Sequence, residues 1–71
     1  MKMVEVFKTN VQEEDLARQL TSRLLTHFPH HKINFDLQDC DKILRVEGTA
    51  ISRERIIELI TSEGFQCHVL E

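Results

Sequence analysis

The chain has 71 residues, 41% of them hydrophobic, and nine basic against twelve acidic residues for a net charge of −3 at pH 7. That describes one small domain spanning residues 1–71, since a chain this short buries roughly 60% of its unfolded surface and builds a single modest core. The basic residues are spread along the chain, which argues against nucleic acid, and no apolar run nears the roughly 18 residues of a membrane span.

Residues 3 to 8 are β-branched and aromatic with partial alternation and predict a first strand, with Val4 and Val6 inward and Phe7 on the opposite face or at a bulge. Asn10 suits a helix N-cap and Glu13 completes a capping box. Glu13, Glu14 and Asp15 would sit at the positive end of the helix dipole. Leu16, Ala17, Leu20, Leu24 and Phe28 then recur at helical spacing, and the helix ends before Pro29. His31 to Gln38 alternates, with Ile33, Phe35 and Leu37 on one face, as a half-buried strand does. Asp39-Cys40-Asp41 forms a polar turn, and Lys42 to Glu47 returns as a second strand of the hairpin with Leu44 and Val46 inward. Ser52 caps a second helix with Ile56, Leu59 and Ile60 as its stripe, and Gly64 suits a left-handed C-cap. Phe65 to Leu70 is the last strand.

The order β-α-β-β-α-β predicts an α+β, ferredoxin-like sandwich: a four-stranded antiparallel sheet with both helices on one face. The N-terminal run is broken by Glu5 and Lys8, so no secretory leader is predicted. The two cysteines, Cys40 and Cys67, then read as reduced thiols of a cytoplasmic protein.

Several stretches resemble the heavy-metal-associated domains of copper chaperones and metal-pumping ATPases. Phe7-Lys8-Thr9-Asn10-Val11 is similar to the entry of their metal loop. Asp41-Lys42-Ile43-Leu44-Arg45-Val46-Glu47-Gly48 is similar to their third strand and the turn after it. Ile56-Ile57-Glu58-Leu59-Ile60 with Glu63-Gly64-Phe65 resembles their second helix and the start of the last strand. The resemblance implies binding and transfer of a soft metal ion through a Cys-x-x-Cys pair. In this chain Glu13 and Leu16 stand where those cysteines would be. A leucine cannot ligate, and a lone carboxylate is a hard ligand poorly matched to Cu(I). No metal is therefore expected at Glu13 and Leu16, and the leading expectation is a chain without a cofactor.

Two other groups could hold a transition metal such as Cu or Zn. His27-x-x-His30, with His31 beside it, has ligand spacing. The plainer alternative is a helix-terminating His27 with solvated loop neighbours, and the intervening Pro29 favours it. Cys40 with Asp39 and Asp41 is the second group, although its flanking carboxylates repel a thiolate, and with Glu13 and Glu14 it also fits a solvated acidic rim. Cys67 fits a small core residue.

Nothing in the chain assembles an enzyme. There is no Ser/His/Asp or Cys/His arrangement with supporting context, and with only Gly48 and Gly64 no glycine-rich phosphate loop. The first loop offers carboxylates where an acylphosphatase needs arginine, and Lys42 to Glu47 lacks the stacking aromatics of an RNA-recognition motif. A ligand-sensing dimer of ACT type shares the topology and stays open without a motif.

The uncovered sheet face is expected to present Glu5, Asn34, Asp36, Gln38, Ile43, Arg45, Gln66, His68 and Leu70, with Met3 and Phe7 beside them. Phe7, Ile43, Arg45, His68 and Leu70 are the candidate contact residues for a protein partner or a second copy. The overall expectation is a non-enzymatic domain that has lost metal binding and acts by protein–protein contact.

Overall fold

The computed structural model describes residues 1–70. The elements run β1 (Met3–Thr9), α1 (Glu14–His27), β2 (Lys32–Asp36), β3 (Ile43–Gly48), α2 (Arg53–Ser62) and β4 (Cys67–Val69). The four strands form one antiparallel sheet in the order β2-β3-β1-β4. This small α+β arrangement has the element order expected from the sequence.

The register settles which residues face the helices. Phe7 lies opposite Leu44, which also lies opposite Phe35; Val46 lies opposite both Glu5 and Ile33. Leu44 and Val46 are fully buried, so their side of β1 is the core side. That side carries Phe7 and Thr9, at 0% and 6% exposure, while Val4 is 45% exposed. The expected phase of β1 is therefore reversed. Val4 and Val6 face away from the helices, and Phe7 belongs to the core rather than to a contact face. Met3 and Glu5 share Phe7's side by alternation, so they also leave the open face. The register runs unbroken from Met3 to Lys8, so β1 has no bulge to shift the phase. In this phase the large Phe7 ring meets the fully buried Leu44, the buried Thr9 hydroxyl has both its hydrogen-bond partners, and Val6 still keeps partial burial on the other face.

Ala17, Leu20, Leu24 and Phe28 from the α1 segment, and Ile56 and Ile60 from α2, join Phe7, Ile33, Leu44, Val46 and Cys67 in one buried cluster. Both helices thus cover the same sheet face. Val11, absent from the expected stripe, is also fully buried.

The two helices start differently. At α2 the Ser52 hydroxyl accepts from the Arg55 amide at 3.4 Å, as a cap should. At α1 the cap position is Glu13, with no side-chain hydrogen bond. Asn10, expected to cap, instead accepts from the Gln66 amide at 2.8 Å, a residue 56 positions away. Tertiary pairing has taken the side chain that local chemistry would have used.

Several boundaries also shift. β2 stops at Asp36 because its carboxylate turns back to accept from the Gln38 amide at 3.3 Å. β4 starts late because Phe65 is still part of the end of α2: its amide donates to Ile60 and that of Gly64 to Thr61, with Gly64 at φ +94°. That is a Schellman closure, and the left-handed φ is what requires glycine there.

Candidate functional site

The loop between β1 and α1 is where the family resemblance would place a metal. Its backbone is tied down from three directions. The Thr9 hydroxyl donates to the Lys42 carbonyl at 2.6 Å and accepts from the Val11 amide at 3.2 Å. The Thr9 amide donates to the Asp41 carbonyl at 3.1 Å. Asn10 holds the Gln66 amide, and Val11 anchors the loop in the core. Of the two family ligand positions, Glu13 is exposed, while Leu16 is half-buried and packs against the core cluster. One position is solvent-facing and the other is part of the hydrophobic contact, so the two together offer no pair of soft donors.

Thr9 also links this loop to the β2–β3 hairpin, at the same end of the molecule. There the ligand atoms of Asp39, Cys40 and Asp41 lie within 4.8 Å of one another. The turn is built locally: the Asp41 amide donates to the Asp39 carboxylate at 2.9 Å, and the Lys42 amide to the Asp39 carbonyl at 3.0 Å. Lys42 adopts a left-handed φ of +48°, uncommon outside glycine. Its ammonium donates to the Leu37 carbonyl at 3.0 Å. Lys8 lies 3.6 Å from Asp41. Cys40 is exposed, so this is a compact, solvent-facing group of one soft and two hard donors.

The histidines are not brought together in this way; among the described residues the gathered group is the Asp39–Cys40–Asp41 one. His27 and His30 are exposed. His31, expected to be a solvated loop residue, is instead half-buried with its ring 5.3 Å from that of Phe28. A Cβ at Gly48 would come within 3.2 Å of the ring, so glycine makes room for it. Neither ring nitrogen of His31 has a hydrogen-bond partner, although both are buried. The imidazole is a packing element here. Cys67, 2% exposed, is the core thiol that was expected, and burial pushes its pKa up from 9.0 to about 12.

The open sheet face presents Ile43, Arg45, His68 and Leu70 as expected, together with Val4 and Val6, which the reversed phase of β1 brings there. Lys8 lies between Ile43 and His68 across the strands. Leu70 is 39% exposed and its amide donates to the Val6 carbonyl at 2.9 Å. Val4, Val6 and Leu70 thus form a short apolar patch, and Ile43 lies between Lys8 and Asp36 across the strands. A signal for it exists in the sequence: Phe7 is the largest apolar residue of β1, and its burial sets the phase of the strand.

Among the described residues no helix is long and apolar enough to cross a membrane. Comparison with protein-family models, with curated proteins and with solved structures finds no match to this chain.

Proposed function

We propose that the chain is a ferredoxin-like domain of heavy-metal-associated type that has given up metal binding and acts in the cytoplasm, without catalysis, through protein contacts. The observation that carries this reading is Leu16. A side chain packed against the core cannot be exchanged for a metal ligand without loss of packing, and its companion Glu13 stands alone in solvent. The patch of Val4, Val6 and Leu70 supplies an apolar surface of the kind that contacts use. Titration of the reduced protein with Cu(I) or Zn(II) against a competing chelator tests the reading, and the expected result is no binding below the micromolar range. Submicromolar binding that survives replacement of all four histidines and both cysteines would overturn it.

One observation favours a second reading, a relocated metal site. The donors of Asp39, Cys40 and Asp41 lie within 4.8 Å of one another, whereas His27, His30 and His31 are not so gathered. This reading expects one ion per chain, lost in Cys40→Ser and kept in His27→Ala/His30→Ala. Element analysis of protein purified without a histidine tag, with thermal melts in added Zn, Cu or Ni, separates the two readings.

A further inference from the structure

β2 is the outermost strand on its side of the sheet, and three features converge on its free edge. The first is charge. Lys32, Asn34 and Asp36 project from one face at alternate positions, so Lys32 and Asp36 are placed symmetrically about Asn34. Among the described residues neither charged group enters an ion pair within the chain. The second is apolar surface. A groove of about 310 Å³ runs between α1 and the end of β2, floored by Ala17, Phe35 and Leu37. Phe35 and Leu37 remain half-buried, and the α1 residues that line the groove with them include the small Ala17 and Thr21. The third is Leu25, 40% exposed. It falls on the same helical stripe as Arg18 and Thr21, which line that groove.

A free edge is normally protected by charge, and a single Lys32 or Asp36 would serve that purpose. Symmetric placement changes the outcome. If the edge meets a second copy of itself antiparallel about Asn34, Lys32 of each strand lies opposite Asp36 of the other, and Ile33 opposite Phe35. Both charges are then paired and the accessible part of the Phe35 ring is covered. We infer that β2 pairs with the β2 edge of a second copy across a two-fold axis through Asn34, joining the two sheets into one. Such an interface is self-complementary, as a two-fold requires, and the main-chain bonds of the added strand supply its affinity. The inference rests on the reading of the chain as a contact module and specifies one of its contacts.

Charge reversal tests it. Wild type should be dimeric by sedimentation and light scattering. Lys32→Glu and Asp36→Lys should each weaken dimerisation roughly tenfold or more, because attractive cross-strand pairs become repulsive ones. Mixing the two variants should restore a one-to-one heterodimer. In it the two introduced charges, opposite in sign, face each other, while the unaltered Asp36 of one variant and Lys32 of the other pair as before. Circular dichroism of each variant confirms folding, and the recovery on mixing cannot come from misfolded protein. Wild type that stays monomeric at millimolar concentration overturns the inference. So does a dimer indifferent to both reversals, or one broken instead by Ile43→Asp, which would place the contact on the open sheet face. None of these results bears on the metal titration, so loss of this interface and loss of the functional reading are separately visible.

Discussion

The β1–α1 loop and the β2–β3 hairpin lie at the same end of the molecule, joined by the hydrogen bonds of Thr9 to Asp41 and Lys42, yet they have opposite characters. The loop is spent on structure: Val11 is fully buried, Thr9 is 6% exposed, and Asn10 serves a residue 56 positions away. The hairpin keeps its donors outside, with Cys40 exposed between two carboxylates. A position with chemical work to do must keep side chains free of the core. By that criterion the loop is committed to structure, and the hairpin is the part free to meet a ligand or partner.

The sharpest test places a pair of soft donors in the loop. Glu13→Cys with Leu16→Cys should create a thiolate pair that binds Cu(I) or Zn(II), read by chelator competition. The double variant should lose less stability than the ~2–5 kcal/mol of a fully buried leucine truncation, because Leu16 is only half-buried. A folded double variant with no gain in affinity would mean that the loop has been misplaced. The next effects separate the two regions by stability alone. Val11→Ala should cost about 2–3 kcal/mol in denaturant unfolding, from lost methyl burial and the cavity left behind. Thr9→Val should cost about 1–3 kcal/mol, since the Val11 amide and the Lys42 carbonyl both lose a partner. Cys40→Ser in the hairpin should stay within about 0.5 kcal/mol. Equal losses in loop and hairpin would break the contrast.

A pH series distinguishes the two thiols. Burial holds Cys67 protonated up to about pH 12, whereas its ordinary value is 9.0. Across that window the unfolded chain releases a proton that the folded chain keeps, so stability should fall as pH rises. Cys67→Ala should remove that part of the slope. In a thiol-reagent assay at pH 8 the native protein should show one reactive group, Cys40, and two after denaturation. The smallest effects concern the helix starts: Ser52→Ala should cost about 1 kcal/mol, and Glu13→Ala a few tenths at most, since Glu13 caps nothing.

Much of the architecture was legible in the sequence because the helical stripes, the hairpin and the Gly64 closure are local signals that agree with one another. What escaped were the choices made by distant partners. Asn10 and Glu13 satisfy every local rule for a capping box, and Gln66 took Asn10 instead. β1 offered two valines on one face and a phenylalanine on the other, and Leu44 and Val46 decided between them. His31 read as loop because nothing near it in sequence shows that Gly48 leaves space for its ring. In the candidate site, the absence of thiols at Glu13 and Leu16 was readable at once. The packing of Leu16 and the compactness of the Asp39–Cys40–Asp41 group depend on tertiary placement and were not.

The position of β1 has a consequence for how the chain reaches its native state. The strand that comes first in this fold is an interior one, bonded on one side to β3 and on the other to β4. Its partners Cys67 and Val69 follow every other element in chain order, as does Gln66, which Asn10 awaits. Until those residues emerge, β1 keeps an open edge and its loop lacks one of its fastenings. Such sequence-distant pairings must bear their loop-closure entropy before they return any energy. Folding should therefore complete late and in one step, and chains truncated before Gln66 should expose β1 to chaperones and proteases rather than form a smaller version of the same structure.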